Sequence, residues 1–514
     1  MNNTDTRKRN LTPAGYAALI EQFQLDTIPN WHESFIGVDN SHSTEMIANT
    51  LCEIYPVNYR YKNTLCGHLE FAIKNDGVNL AILAAIFRVA PLEEFTVYIA
   101  SNLHDKYARR LWFWFEFLTG EKLAIDDLAK VDYFPLLEPD NYYVISNPQQ
   151  NRRQCIYDNM LGNSQFCPVV RKTNCLRKFE NANFAERCKI IVSKIPAELL
   201  QRGTNYLYAK ETKSSFGIEH IQPKQKRIEQ FIRLLKLSEK DDFCTKNKLI
   251  DLQNLVVDSQ FCDTDFRRRQ NYVGESISWT REKIHFIAPK PENLVELMDG
   301  FFVAHNRMSD GGVSPVIHAA VISYGLVFLH PFEDGNGRIH RFLIHNILAR
   351  SGFTPSQLIF PVSATMLKNH ADYDASLEAF SIPLTEIIDY TLNPNGQMTV
   401  QNETINFYKY IDMTTQAEWL FRFIERTIET EFVAELDFLD NYDLAKKSIS
   451  EFINIPDKKI DLIIQSCIQN NGSISLRKRN KIFDFLTDNE IKKIEKIIQS
   501  TFKKQLTKNR IIQS

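Results

Sequence analysis

Three observations predict a mainly α-helical chain. Long segments carry apolar residues at helical spacing, glycine is sparse at 18 of 514 residues, and clear start and stop signals bound the segments. The best start signal is Ser314-Pro315, a good N-cap followed by a proline suited to the first helical position. Val316 to Leu329 then carries the apolar residues of a buried helix. A second helix follows Gly337 and closes at Gly352, which suits a C-terminal cap.

Taken in order, residues 1–180 are expected to form a helical N-terminal region, with an aliphatic run from Asn79 to Phe87. The basic-aromatic stretch Lys106–Phe117 has the composition of a base-stacking platform. Leu111, Trp114 and Phe117 fall on one helical face, however, and read better as core. Polar stretches Asn141–Arg153 and Asp258–Gln270 read as loops or linkers. Residues 181–400 form the middle domain and 401–514 a separate helical end. In that end Trp419–Phe438 has helical periodicity, a helix from Asp457 closes at Asn470-Asn471-Gly472, and Thr487–Glu490 is a capping box opening the last helix. Helix, tight turn, helix is compatible with a helix-turn-helix or winged-helix unit. From Arg477 to Arg510 eleven Lys/Arg stand against Asp484, Asp488, Glu490 and Glu495. This patch suits DNA, with a solvated helical face or a protein-docking surface as the plainer alternative.

Composition fits an enzyme of two or three domains: 44% hydrophobic and 24% charged residues are ordinary globular values. A net charge of −2 gives no general pull toward nucleic acid or membrane. Met1–Asn10 lacks an apolar signal core, and the apolar run Val78–Ala90 is too short to span a bilayer. Nine cysteines without a Cys-x-x-Cys pair read as reduced thiols in a cytoplasmic protein, with no zinc site.

The chemistry concentrates in His330–Arg341, which reads His-Pro-Phe-Glu-Asp-Gly-Asn-Gly-Arg-Ile-His-Arg. Gly335 and Gly337 can take positive φ, so successive N–H groups can form an anion nest. The helix that follows offers its free N–H groups and positive dipole end to a phosphate. Arg338 and Arg341 lie three apart, share a face and can grip phosphate oxygens. Asp334 is a hard oxygen ligand suited to Mg²⁺. His330, which opens the stretch, is able to move a proton near neutrality.

The stretch resembles the Fic (Fido) family signature, His-x-Phe-x-(Asp/Glu)-Gly-Asn-Gly-Arg-x-x-Arg, and fills every specified position through His330, Phe332, Asp334, Gly335, Asn336, Gly337, Arg338 and Arg341. The resemblance implies a helical Fic fold with a short β-hairpin flap, and transfer of AMP from ATP to a Ser, Thr or Tyr hydroxyl of a protein. His330 would deprotonate the hydroxyl and Asp334 would hold Mg²⁺. Gly335, Asn336 and Gly337 would cradle phosphates, Arg338 and Arg341 would bind the β- and γ-phosphates, and Phe332 would support the loop. The family's kinase variant carries Lys in place of the second glycine; Gly337 argues for nucleotidyl transfer. Glu211–His220 is similar to the family's inhibitory motif through Ser215 and Glu219, departing from it at His220, where Gly or Asn is usual. There the glutamate pairs with the second arginine, here Arg341, and blocks the γ-phosphate; in some members it also serves AMP removal. Its place upstream of His330 implies the N-terminal-inhibitory class. Thr280–Asn293 matches the flap position, with β-forming Ile284, His285, Phe286 and Ile287, His285 being read as non-catalytic. Tyr373 stands roughly where relatives line the adenine pocket. The expected partners are ATP with Mg²⁺ and a protein substrate, the chain itself included; the alternative is a DNA-binding regulator or toxin-like component acting through basic residues 401–514, no membrane is expected, and a homodimer is left open.

Overall fold

The computed structural model describes residues 11–47, 50–129, 131–193, 197–278, 281–356 and 358–503. The expectations for Met1–Asn10, Thr280 and the basic residues beyond Lys503 lie outside them.

Helices dominate, as the spacing predicts, but the N-terminal region is not all helical. Strands β1 (Thr12–Ala14), β2 (His32–Ile36), β3 (Ser43–Ile47) and β4 (Thr50–Tyr55) form a sheet of order β1-β2-β4-β3. β2 pairs parallel to β4, and the other pairs are antiparallel. These strands are three to six residues long, shorter than a helical-spacing window, and β2 is buried on both faces, which hides the two-residue alternation. A buried carboxylate anchors the sheet: Asp76 accepts from the Tyr16 N–H at 3.1 Å and from Ser34 Oγ at 2.5 Å, and lies 3.1 Å from His32 Nδ1. A second small sheet joins β5 (Phe134–Pro135), β6 (Gln149–Asn151) and β7 (Ile156–Asp158), so Asn141–Arg153 is not loop throughout.

Helix Leu80–Val89 is capped by Asn79, whose side chain accepts the Ile82 N–H. Helix Lys106–Thr119 buries Leu111, Trp112 and Trp114 completely, which settles the aromatic stretch as core. These side chains share one apolar cluster with the helices before them.

The central core gathers helices Ala197–Ile218, Lys246–Val256, Leu294–Asp310, Pro315–Leu329 and Asn336–Arg350. Pro315–Leu329 lies at its centre and buries every residue except Pro315 and Val327, as a helix apolar all round must. Strands β8 (Tyr272–Ser278) and β9 (Arg281–Ile287) form an antiparallel hairpin beside it, with a register shift between Val273 and Gly274. Tyr272 Oη donates to Glu282 at 2.6 Å and lies 3.3 Å from the Gly396 carbonyl, in the turn joining β10 (Tyr390–Leu392) to β11 (Met398–Val400).

Helix Thr414–Arg426 still contributes Leu420, Phe423 and Ile424 to the central core. It continues through a π-helical turn, Thr427–Phe432, into Val433–Ser450, whose Ala445 and Ile449 belong to a separate C-terminal core with Ile464, Ile494 and Ile498. Helix Asp457–Gln469 ends at left-handed Asn471 and Gly472, and Thr487 and Glu490 form the expected capping box. Among the described residues no strand follows Val400, and the elements of this end are helices. No helix among them is long and apolar enough to cross a membrane.

Candidate active site

Helix Pro315–Leu329 stops because His330 turns left-handed, at φ 49 and ψ 58. That conformation costs a non-glycine residue about 1–2 kcal/mol. Several contacts hold it. The His330 N–H donates to the Leu326 carbonyl at 2.8 Å, and its own carbonyl accepts Arg267 Nε at 2.7 Å. Nδ1 lies 3.2 Å from the Val327 carbonyl, which only a protonated Nδ1 can satisfy. Nε2 then carries the lone pair. Burial, and next the Arg267 charge, push the His330 pKa down to about 4, so the ring is neutral at physiological pH. Phe286 of β9 packs beside it, with ring centroids 6.0 Å apart.

The loop after His330 is braced from within. Asn336 Oδ1 accepts the Phe332 N–H at 3.1 Å, and its Nδ2 donates to the Phe332 carbonyl at 2.8 Å. The Asn336 side chain is therefore a strut rather than a free phosphate ligand. Its backbone N–H, in the first turn of helix Asn336–Arg350, is the group available to an anion. Phe332 is fully buried against Phe266. Gly335 has φ 93, and a Cβ there would lie 2.9 Å from Val257 Cγ1, so both backbone and space call for glycine. Gly337 is helical, and a Cβ there would lie 2.6 Å from Glu219 Oε1, so a larger residue would press on that carboxylate.

Arg338 and Arg341 are each 1% exposed. Arg338 donates to the Val256 carbonyl and to Asp334 Oδ1, both at 2.6 Å. Arg341 donates Nε to Ser215 Oγ at 3.0 Å and Nη2 to the Ser215 carbonyl at 2.7 Å, and its Nη1 lies 3.4 Å from Tyr373 Oη. Glu219 bridges both: Oε1 accepts Arg341 Nη2 at 2.7 Å, and Oε2 lies 2.6 Å from Arg338 Nε. The Arg338 N–H does not point along that second contact, which makes it an ion pair rather than a directed hydrogen bond. Burial opposes the Arg341 charge, yet Glu219 and Tyr373 hold its pKa above the usual arginine value.

Ser215 lies in the last turn of helix Ala197–Ile218 and does not cap its start. Glu219 follows the helix end, and His220 takes φ 55, the left-handed conformation for which Gly or Asn is the easier residue. The helix is also fixed one turn before Ser215. Buried Glu211 lies 2.7 Å from His345 Nε2 and accepts the Ser363 N–H at 2.9 Å. Positions 211, 215 and 219 thus meet 345, 341 and 338 as successive rungs between two helices.

Asp334 Oδ1 takes the Gly335 N–H at 2.6 Å as well as Arg338, and the side chain is 42% exposed. A half-exposed carboxylate with one oxygen engaged fits a hard cation. Tyr373 is buried behind Arg341 and supports its guanidinium. On the hairpin, Ile284 and Phe286 pack against the central core and Ile287 is fully buried, whereas His285 Nε2 lies 3.3 Å from Glu275.

Residues 243–348 match the family model described as Fic/DOC family. That segment is about a fifth of the chain. The chain is also similar in sequence to parts of known protein adenylyltransferases. Over 121 residues it is 36% identical to the "Protein adenylyltransferase Fic" of Culex quinquefasciatus, a match covering 23% of this chain and 22% of that protein. Over 91 residues it is 40% identical to the protein of the same name from Drosophila mojavensis, covering 18% and 16%. The chain thus spans less than a quarter of the length of these curated relatives. Two solved structures are also similar. One is a Fic domain containing signaling protein from Bacteroides thetaiotaomicron (TM-score 0.36, 18% identity, 49% of this chain and 96% of that one). The other is a Fic family protein from Desulfovibrio desulfuricans (TM-score 0.37, 15% identity, 66% and 89%).

The Fic segment begins at residue 243, so Ser215 and Glu219 come from outside it. Sequence reasoning missed Arg267, Gln253 and the Val256 carbonyl, all of which hold the loop from the Lys246–Gln270 side. The one visible signal was the Arg267-Arg268-Arg269 run inside a stretch read as linker.

Proposed function

We propose that the chain transfers AMP from ATP to a Ser, Thr or Tyr hydroxyl of a protein, itself included, and that Glu219 restrains this activity. The observation that carries the reading is the Glu219 carboxylate seated on both buried arginines beside a helix N-terminus and a neutral histidine. Two guanidiniums fixed on a helix N-terminal turn are suited to the oxygens of a polyphosphate. A carboxylate on the same pair competes with those oxygens for one set of donors.

In this reading His330 Nε2 takes the proton of the acceptor hydroxyl. The hydroxyl oxygen bonds to the α-phosphorus, and the bond from that phosphorus to the bridging oxygen breaks. Pyrophosphate leaves with its charge held by Arg338 and Arg341. Asp334 would hold Mg²⁺, which when bound would neutralise charge on the phosphates. The protein's share is positioning and preorganised charge. The hairpin β8–β9, whose Phe286 touches His330, receives the extended target segment by strand addition.

Glu219 also supports AMP removal as a second activity, because its carboxylate is 25% exposed and so reaches solvent at the site. The DNA-linked alternative rests on the basic residues from Arg477 to Arg510. Two of them are already engaged within the chain: Arg479 is paired with Asp488, and Lys478 bonds Ser466 and Gln469. The test is label transfer. ATP labelled at the α-phosphate should mark protein, γ-labelled ATP should not, and His330→Ala should abolish the mark. Label from the γ-position would replace the reading with phosphorylation.

A further inference from the structure

Arg267 is 4% exposed, and its guanidinium hydrogen bonds all go to backbone carbonyls: Nε to His330 at 2.7 Å, Nη1 to Arg269 at 2.7 Å and Nη2 to Pro289 at 2.7 Å. Its own N–H donates to the Pro331 carbonyl at 2.8 Å. Burial lowers its pKa to about 10, so the group stays charged at neutral pH. A buried cation without a carboxylate bonded to it is costly, and a chain that needed only packing would use an apolar residue there.

The four acceptors explain the cost. His330 and Pro331 are the strained left-handed turn that presents the imidazole. Arg269 precedes β8 and Pro289 follows β9, so they mark the two ends of the hairpin at its base. One rigid, planar fork therefore joins the histidine turn to both ends of the flap. The same charge lies beside the imidazole, where it disfavours a second positive charge.

We infer that Arg267 is a positioning residue. It locks His330 and the base of the β8–β9 hairpin into one unit, fixing where the acceptor hydroxyl meets the imidazole. This rests on the proposed transfer activity and assigns that site a residue beyond the signature. Arg267 reaches neither Arg338 nor Arg341 in its hydrogen bonds, so it sets the alignment of base and target rather than the hold on the phosphates.

The experiment uses the full chain carrying Glu219→Gly, alone and with Arg267→Met or Arg267→Lys. The His330 ring is titrated by NMR on ¹⁵N-histidine protein, with His330→Gln identifying the signal. Among the described residues the charged groups facing the ring are Arg267 from the loop before β8 and Asp334 from its own loop, while β9 contributes the Phe286 ring; Glu333 acts on Arg267. Arg267→Met should raise the His330 titration by about one pH unit or more. It should lower kcat for AMP transfer roughly 100-fold while the KM for ATP stays within about twofold. Arg267→Lys keeps the charge and loses the fork, so it should retain the low titration and still lose kcat; it also serves if the Met variant does not fold. An unmoved titration with unchanged kcat overturns the inference. So does a parallel loss of kcat and ATP affinity, which would mark a general structural role. If no form transfers AMP, the proposed function fails, while the titration still decides whether Arg267 governs His330.

Discussion

Replacing Glu219 with glycine removes one carboxylate from two buried guanidiniums. Its contacts are 2.7 Å to Arg341 and 2.6 Å to Arg338, and its side chain is 25% exposed. A hydrogen bond to a charged group is worth about 1.5–3 kcal/mol net. The Arg338 contact is poorly aligned and water reaches the carboxylate, so the competition amounts to roughly one such bond, about 2–3 kcal/mol. At about 1.4 kcal/mol per tenfold, ATP·Mg²⁺ should bind the variant roughly 30- to 150-fold more tightly. The free variant should also melt lower than wild type, because buried Arg341 has lost its anion and Arg338 one of its two, and nucleotide should restore more stability to it than to wild type. Isothermal titration with ATP·Mg²⁺, paired with thermal melts, reads both effects. Equal affinities would refute the reasoning, since the carboxylate would then not compete with the nucleotide.

Four further outcomes follow. Gly335→Ala forces a φ of 93 on alanine and a Cβ to 2.9 Å from Val257, so stability should fall by about 1–3 kcal/mol in urea melts. Glu211→Ala leaves His345 and the Ser363 N–H without their buried acceptor and should cost about 3 kcal/mol or more, read the same way. His220→Gly relieves a left-handed residue and should keep stability within about 1 kcal/mol and inhibition intact; a gain of transfer activity would show that the histidine itself belongs to the brake. His330, His318 and His340 all have pKa values lowered by burial, to about 4, 3 and 3 from an ordinary 6.5. The unfolded chain therefore binds protons that the native chain does not, so stability should be full above pH 6.5 and fall as pH drops toward 4; urea midpoints that do not fall over that window would contradict the assignment.

The site was legible where the sequence states chemistry locally. His330, Asp334, the two glycines and both arginines lie within twelve residues, and Pro315 and Gly352 mark where the flanking helices begin and end, although the Ser314 side chain makes no capping hydrogen bond. Glu219 was visible as a short motif, but its grip on Arg338 as well as Arg341 was not, because that depends on how helix Ala197–Ile218 crosses helix Asn336–Arg350. Asn336 and Tyr373 read as ligands by resemblance; tertiary packing makes one a loop strut and the other a support for Arg341. Arg267 was hidden because its partners are carbonyls, which no side-chain pattern records. The N-terminal sheet was missed for a similar reason: β2 pairs with β4 across a connection containing β3, and its burial on both faces erases the alternation that marks a strand.

The most direct test of the account is auto-modification with α-³²P-ATP and Mg²⁺, comparing wild type, Glu219→Gly, and Glu219→Gly with His330→Ala. The account predicts strong label in the single variant, little in wild type and none in the double variant. Label in wild type that does not rise in Glu219→Gly would contradict the brake, and label that survives His330→Ala would contradict the base.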